Sequence, residues 1–266
     1  NNRLSISYDY FHKITDNILL QLPAPGLYGA TPAFQNAGKV KNQGFELAVN
    51  YKATTGAFNH TVGANLADNL NEIVDFKGRT SIQEGDVTYI NREGFPISAY
   101  YGYQAAGFYQ NLDDIKNSAK PAFANQVKPG DIKYVDRNGD GVIDNNDRFI
   151  MGNPFPRFTF GLNYGVTWKG FDASIFIQGV GKRNVYLRGE GVEAFHNNWD
   201  NVYARHIDRW TPNNPNADYP RLTIGTESIN NAANSTFWLE NAAYARLKNA
   251  QLGYTLPARL TNRAKI

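Results

Sequence analysis

The run Asp136-Arg137-Asn138-Gly139-Asp140-Gly141-Val142-Ile143-Asp144-Asn145-Asn146-Asp147 sets oxygen-bearing side chains at a calcium-loop spacing. Asp136, Asn138, Asp140, Asp144 and Asp147 would be side-chain ligands, and Val142 would offer its carbonyl. Gly141 suits the sharp turn and Ile143 the inward anchor. Asp rather than Glu at the last position weakens bidentate closure, and no flanking helices are evident. The same run also reads as an Asn/Asp/Gly-rich turn that binds nothing. In either case it is a rigid loop feature and not a catalytic one.

Other residues with chemical potential are thinly spread. His12, His60, His196 and His206 are scattered. His196 and His206 share a stretch with Glu190, Glu193, Asp200 and Asp208, but the spacing follows no metal-ligand pattern and reads first as a solvated acidic loop. There is no cysteine, hence no disulfide, thiolate site or thiol nucleophile. No nucleophile-elbow, zinc-protease or phosphate-loop motif occurs, so no catalytic residue is assigned. A glycosidase-like carboxylate pair depends on a spatial separation that sequence does not display. Aromatic side chains form the remaining candidate site. Tyr101, Tyr103, Phe108, Tyr109, Trp199 and Tyr203 could stack on sugar rings, with Asn197, Asn198, Asp200 and Arg205 nearby for hydroxyls. The first reading of these rings is that they pack the loops against each other or against a lid.

The elements that must position these residues announce themselves by period two. From Arg157 to Trp168, Phe158, Phe160, Leu162, Tyr164, Val166 and Trp168 alternate with Arg157, Thr159, Gly161, Asn163, Gly165 and Thr167. Similar alternation runs through 4–10, 43–52, 58–71, 171–179 (Phe176 excepted) and 249–256, which predicts about six strands. Trp168, Phe171, Tyr51, Phe58 and Tyr254 gather near strand ends, as rings do at a membrane–water interface. The opposite faces carry Asn, Gln, Glu, Asp and Lys, which suits a hydrated lumen.

Connections alternate in length. Ala53–Ala57 and Lys169–Gly170 are tight, whereas 23–41, 77–156 and 188–241 are long. Short turns on one side and long loops on the other are the habit of outer-membrane barrels. The composition agrees: 16 Tyr and 16 Phe against one Met, with mean hydropathy −0.50 and no run of about 20 apolar residues for a membrane helix. A net charge of +3 over 266 residues, without a Lys/Arg cluster, gives no nucleic-acid surface. The first residues show no signal-peptide pattern and move directly into alternation, so the chain reads as a fragment.

Several runs are together similar to one family. Gly130–Val135, the Asp136–Asp147 loop and Gly152-Asn153-Pro154-Phe155-Pro156-Arg157 follow one another. Asn36–Glu46, Arg92–Ile97 with Tyr101-Gly102-Tyr103 and Gly107-Phe108-Tyr109, Asp208–Pro215 with Tyr219-Pro220-Arg221, and Phe237–Pro257 complete the set. In this order they resemble the SusC/RagA-like TonB-dependent outer-membrane transporters. The resemblance implies an all-β fold, an antiparallel transmembrane β-barrel segment with long extracellular loops. Residues 1–266 would be the C-terminal part of a barrel of about 22 strands, with the plug domain and last strands absent. It implies active import of an oligosaccharide or peptide across the outer membrane, with a SusD-like surface lipoprotein, the TonB complex and outer-membrane lipid as partners. Two other readings fit the residues: a passive porin or structural barrel, and a secreted calcium-dependent carbohydrate-binding β-sandwich.

Overall fold

The computed structural model describes residues 3–21, 33–124, 126–258 and 262. In chain order the strands are β1 (Leu4–Gln21), β2 (Phe34–Thr55), β3 (Phe58–Asp75), β4 (Thr80–Gln83), β5 (Tyr89–Arg92), β6 (Ala99–Gly102) and β7 (Ala105–Phe108). The short helix α1 (Leu112–Lys116) precedes β8 (Lys120–Pro121), β9 (Ile132–Tyr134), β10 (Val142–Ile143) and β11 (Phe149–Gly152). Then come β12 (Arg157–Trp168), β13 (Phe171–Lys182), β14 (Asn184–Tyr186), β15 (Leu239–Asn241) and β16 (Tyr244–Tyr254).

The expected antiparallel sheet of six strands is present, in the order β1-β2-β3-β12-β13-β16. Each neighbour pair runs antiparallel, so the tight turns lie at one rim and the long connections at the other. Of the first long connection, 23–32 lies outside the described residues, and Phe34 to Lys41 belongs to β2 rather than to a loop.

Register explains why this sheet has two faces. One cross-strand row reads Ile6–Val49–Ala64–Leu162–Ile177–Leu247, and the next Leu4–Tyr51–Val62–Tyr164–Ile175–Ala250. Nothing among the described residues covers this face: Ile6 is 61% exposed, Leu162 38% and Leu252 80%. The sandwich reading required a second sheet beneath Phe158, Leu162 and Val166, and the bare face overturns it. A continuous apolar band of this extent is an interaction surface in water, whereas hydrocarbon is a solvent it fits. At the tight-turn rim, Phe58, Trp168, Phe171 and Tyr254 form a belt, with successive ring centroids 5.5, 6.2 and 4.4 Å apart.

The opposite face is polar. Its rows include Ser7–Ala48–Asn65–Gly161–Gln178–Arg246 and Ser5–Asn50–Gly63–Asn163–Phe176–Asn249. Phe176, the exception in the pattern, points to this side, and its ring lies over Gly161, where a Cβ would come within 3.2 Å of it. Gly161 also leaves room for the Asn65 amide.

Strand lengths separate the wall from what stands above it. β12 and β13 have 12 residues each, which at about 3.4 Å per residue and ~40° tilt rise roughly 30 Å, enough for a bilayer core. β2 has 22 residues and β3 has 18. Pairing of β12 with β3 stops at Thr159–Ala67, so Asp68–Asp75 would present a bare edge. Two devices close it. Arg157 forms an ion pair with Asp68 just beyond the last paired position. Above it, Ile73 N–H donates to the Phe95 carbonyl and Gly94 N–H to the Ile73 carbonyl, both at 2.9 Å. The Arg92–Ile97 run therefore serves to occupy an unpaired edge. Glu93 anchors it by accepting N–H bonds from Phe76 at 2.6 Å and Gly78 at 2.9 Å.

The two faces predict opposite outcomes for neighbouring residues. Leu162→Arg puts a guanidinium on the apolar face and is expected to cost about 2–4 kcal/mol near the bilayer midplane. Asn163→Arg points the same group to the polar side and is expected to cost little. Heat-modifiable gel migration of the intact protein in outer-membrane fractions reads the difference.

Candidate functional site

The two long connections fold together. Residues 76–156 carry β4 to β11 and α1, and residues 183–243 carry β14, β15 and several 3-10 turns. Their shared core consists of Tyr100, Tyr103, Ile132, Tyr134 and Ile143 from the first loop and Tyr186, Tyr219 and Trp238 from the second. Tyrosine suits such a core because its ring is apolar and its hydroxyl can satisfy loop backbone. Tyr134 Oη donates to the Asn230 carbonyl at 2.6 Å, and Tyr186 Oη accepts from Ser235 N–H at 2.7 Å. Burial pushes the Tyr103, Tyr109 and Tyr186 hydroxyls up to about 12, so they stay protonated at any ordinary pH.

One polar clamp joins the loops. Asp131 is fully buried and receives Arg221 Nε at 2.6 Å and Nη2 at 3.2 Å. Asn231 Nδ2 donates to the same carboxylate at 3.0 Å while its Oδ1 accepts from Ile132 N–H at 2.8 Å. Burial alone would lower the Arg221 pKa, but Asp131 and Glu227 outweigh it and the guanidinium is held above its ordinary value. Gly130 has φ +88 and lies against the Trp210 ring with no room for a Cβ. The Gly130-Asp131 and Tyr219-Pro220-Arg221 motifs thus meet in one joint.

This arrangement sorts the aromatic candidates. Tyr103 and Tyr109 are 7% and 1% exposed, and Phe108 packs against the same core beside Phe237. These three are packed into the loop interior, in line with the packing reading of the rings. Tyr101 is half-buried beneath Arg148, whose guanidinium carbon is 4.7 Å from the ring centroid. Trp199 and Tyr203 remain open to solvent at 82% and 43%.

In the Asp136–Asp147 loop, Gly139 and Gly141 take positive φ and Ile143 is fully buried, as the spacing anticipates. Its carboxylates are engaged with backbone. Asp136 accepts from Gly139 and Gly141 N–H at 2.6 and 2.8 Å, Asp140 from Val142, and Asp144 from Asn146. Asn138 Oδ1 accepts from Asp140 N–H, and Val142 lies in β10 beside β8. Asp147 is fully buried and accepts from Arg137, Asn138 and Asp144 N–H. Among the described residues, no group of three or more His, Cys, Asp or Glu is placed to hold a metal. His196, His206, Glu190, Glu193, Asp200 and Asp208, all among the described residues, form no such group. His206 Nδ1 accepts from Tyr203 N–H at 3.0 Å, so its Nε2 carries the proton donated to the Val192 carbonyl at 2.8 Å.

Sequence reasoning missed Arg188, buried with Glu193 as an ion pair, and the interior asparagines Asn230 and Asn231. Nothing in local spacing marks an asparagine that crosses to a loop about 100 positions away.

Two outcomes follow. Arg221→Met leaves Asp131 buried and unpaired, which is expected to cost about 3–5 kcal/mol and speed proteolysis within 183–243; adding Asp131→Asn is expected to recover part of the loss. Burial pushes the Asp147 carboxyl up, but three backbone N–H bonds outweigh it and hold the pKa below 3.8. Its contribution is complete above pH 3.8 and is lost as pH falls through that depressed value. Hydrogen exchange at Arg137, Asn138 and Asp144 amides is expected to rise only in that acid range.

No family model matches the chain. It is 31% identical to TonB-dependent receptor P3 of Formosa agariphila over 96% of this chain and 26% of that protein. Against TonB-dependent receptor SusC of Bacteroides thetaiotaomicron, identity is 26% over 96% of this chain and 24% of SusC. Among solved structures, the RagAB peptide importer in its open-open state aligns with a TM-score of 0.70 and 23% identity. That alignment covers 98% of this chain and 27% of the other, and shows a shared fold. The chain spans about a quarter of the length of the curated relatives it matches.

Proposed function

We propose that this chain, a stretch of a SusC/RagA-like TonB-dependent receptor by sequence and by fold, supplies part of the wall and part of the external cap of an outer-membrane nutrient importer. One observation carries the reading: the sheet has a bare apolar face, a polar face, and a folded cap on a single rim. The bare face meets lipid, the polar face lines a hydrated path, and the cap faces the exterior.

The substrate is an oligosaccharide or a peptide, and a SusD-like lipoprotein closes over the cap. The relatives' names support this choice of class, since one is SusC and another a peptide importer. No covalent step is assigned to these residues; they bind and guide. Energy enters through the TonB complex, by way of a region outside this chain. The competing reading, a passive porin, shares the wall but not the energy requirement. In cells carrying the complete receptor, uptake is expected to stop when TonB is deleted. Uptake that continues at the same rate would establish the passive barrel instead.

Calcium at the Asp136–Asp147 loop is a further part of the proposal, supported by spacing alone. Asp136, Asn138, Asp140, Asp144, Asp147 and the Val142 carbonyl would be its ligands. The complete receptor is expected to retain one calcium after dialysis and to lose it in an Asp136→Ala/Asp140→Ala variant. Equal metal content in both would remove calcium from the account.

A further inference from the structure

The sequence has one Asn-Gly step, Asn138-Gly139, and one Asp-Gly step, Asp140-Gly141, and they follow one another. At such steps a side-chain carbonyl carbon is open to attack from its own backbone, because glycine puts no Cβ in the way of the nitrogen. At Asn138 the Gly139 nitrogen attacks Cγ: an N–C bond forms, the Cγ–Nδ2 bond breaks, and ammonia leaves with the amide proton. Water then opens the cyclic imide at one carbonyl or the other, leaving aspartate or isoaspartate. At Asp140 the Gly141 nitrogen forms the same ring with loss and return of one water.

Burial protects neither step. All four residues are exposed, and a Cβ built on Gly139 or Gly141 would meet nothing within 4 Å. Protection is left to hydrogen bonds, and a single carboxylate holds both attacking nitrogens. Asp136 Oδ1 accepts the Gly139 N–H at 2.6 Å, and its Oδ2 accepts the Gly141 N–H at 2.8 Å. Each nitrogen must lose its proton before it attacks. A negative charge at hydrogen-bond distance opposes that loss, and a carboxylate is too weak a base to take an amide proton itself. The carbons under attack are tied as well. Asn138 Oδ1 accepts from Asp140 N–H at 3.0 Å and its Nδ2 donates to Asp140 Oδ2 at 2.8 Å. Asp140 Oδ1 in turn accepts from Val142 N–H at 2.9 Å.

We propose that Asn138 is a latent deamidation site, kept closed together with the Asp140-Gly141 step by the Asp136 carboxylate. Once hydrolysed, residue 138 sets a second carboxylate against Asp140 where an amide had donated, and the isoaspartate form also lengthens the main chain by one methylene. The tie to Asp140 is then lost, so the first event loosens the second step. The test ages the complete receptor in detergent, in warm, mildly alkaline buffer with EDTA so that calcium plays no part, beside a synthetic peptide of residues 134–144. Mass spectrometry of the digests measures aspartate and isoaspartate at position 138. The receptor is expected to convert at least tenfold more slowly than the peptide, and Asp136→Ala to remove most of that difference. Asp147→Asn loosens the loop at its buried base without touching either glycine amide, and is expected to convert several-fold more slowly than Asp136→Ala. Conversion of the receptor at the peptide's rate, an Asp136→Ala variant as slow as the receptor itself, or equal rates in the two variants would each overturn the proposal.

Discussion

Backbone hydrogen bonds that have no water to fall back on govern this molecule. On the apolar face, every N–H and C=O of the wall must find a partner in a neighbouring strand. Continuous pairing from Thr159–Ala67 to Trp168–Phe58 meets that demand between β3 and β12. Where β3 outruns β12, the Arg92–Ile97 run supplies backbone partners at Ile73, and Arg157 and Asp68 mark the point of transfer. A motif that looks like a piece of loop in the sequence is therefore an extension of the wall.

Above that junction the solvent changes, and with it the chemistry of packing. The wall exposes Leu, Ile and Phe and is held by its ladder. The cap buries Tyr, Trp, Asn, Asp and Arg, and Tyr134, Trp238, Asn231 and Asp131 are tied to backbone or to an opposite charge. A core of this kind can form beside water from irregular segments, because the tyrosine hydroxyls and asparagine amides satisfy loop groups that have no regular ladder. The carboxylates of the Asp136–Asp147 loop do the same locally, each bracing the next turn.

Strand number, the two faces, the turn-side aromatic belt and the one-sided placement of the long connections were legible because period two writes them directly into residue order. Phe176 broke the pattern for a reason that lies on a neighbouring strand, in the space above Gly161. The length of β2 was underestimated, since its outer half carries polar residues where the first loop covers it. The fate of the aromatics was not legible. Tyr103 and Tyr203 look alike in sequence, yet one is core and the other surface. What separates them is contact between loops distant along the chain, to which spacing is blind. The Tyr-Pro-Arg and Gly-Asp runs were visible as motifs, but their meeting was not.

Because the two loops own a single interior between them, neither is a module. A chimera that took 183–243 from a relative while keeping 76–156 would confront Tyr134, Asp131 and Gly130 with unfamiliar partners, and half of each joint would be orphaned. Exchanging both segments together keeps every joint intact and asks only that their four roots match the wall. Diversification of the outer surface in such proteins should accordingly proceed by paired inheritance, with changes in one loop tracked by changes in the other at the buried joint and free of that linkage on the open rim around Trp199.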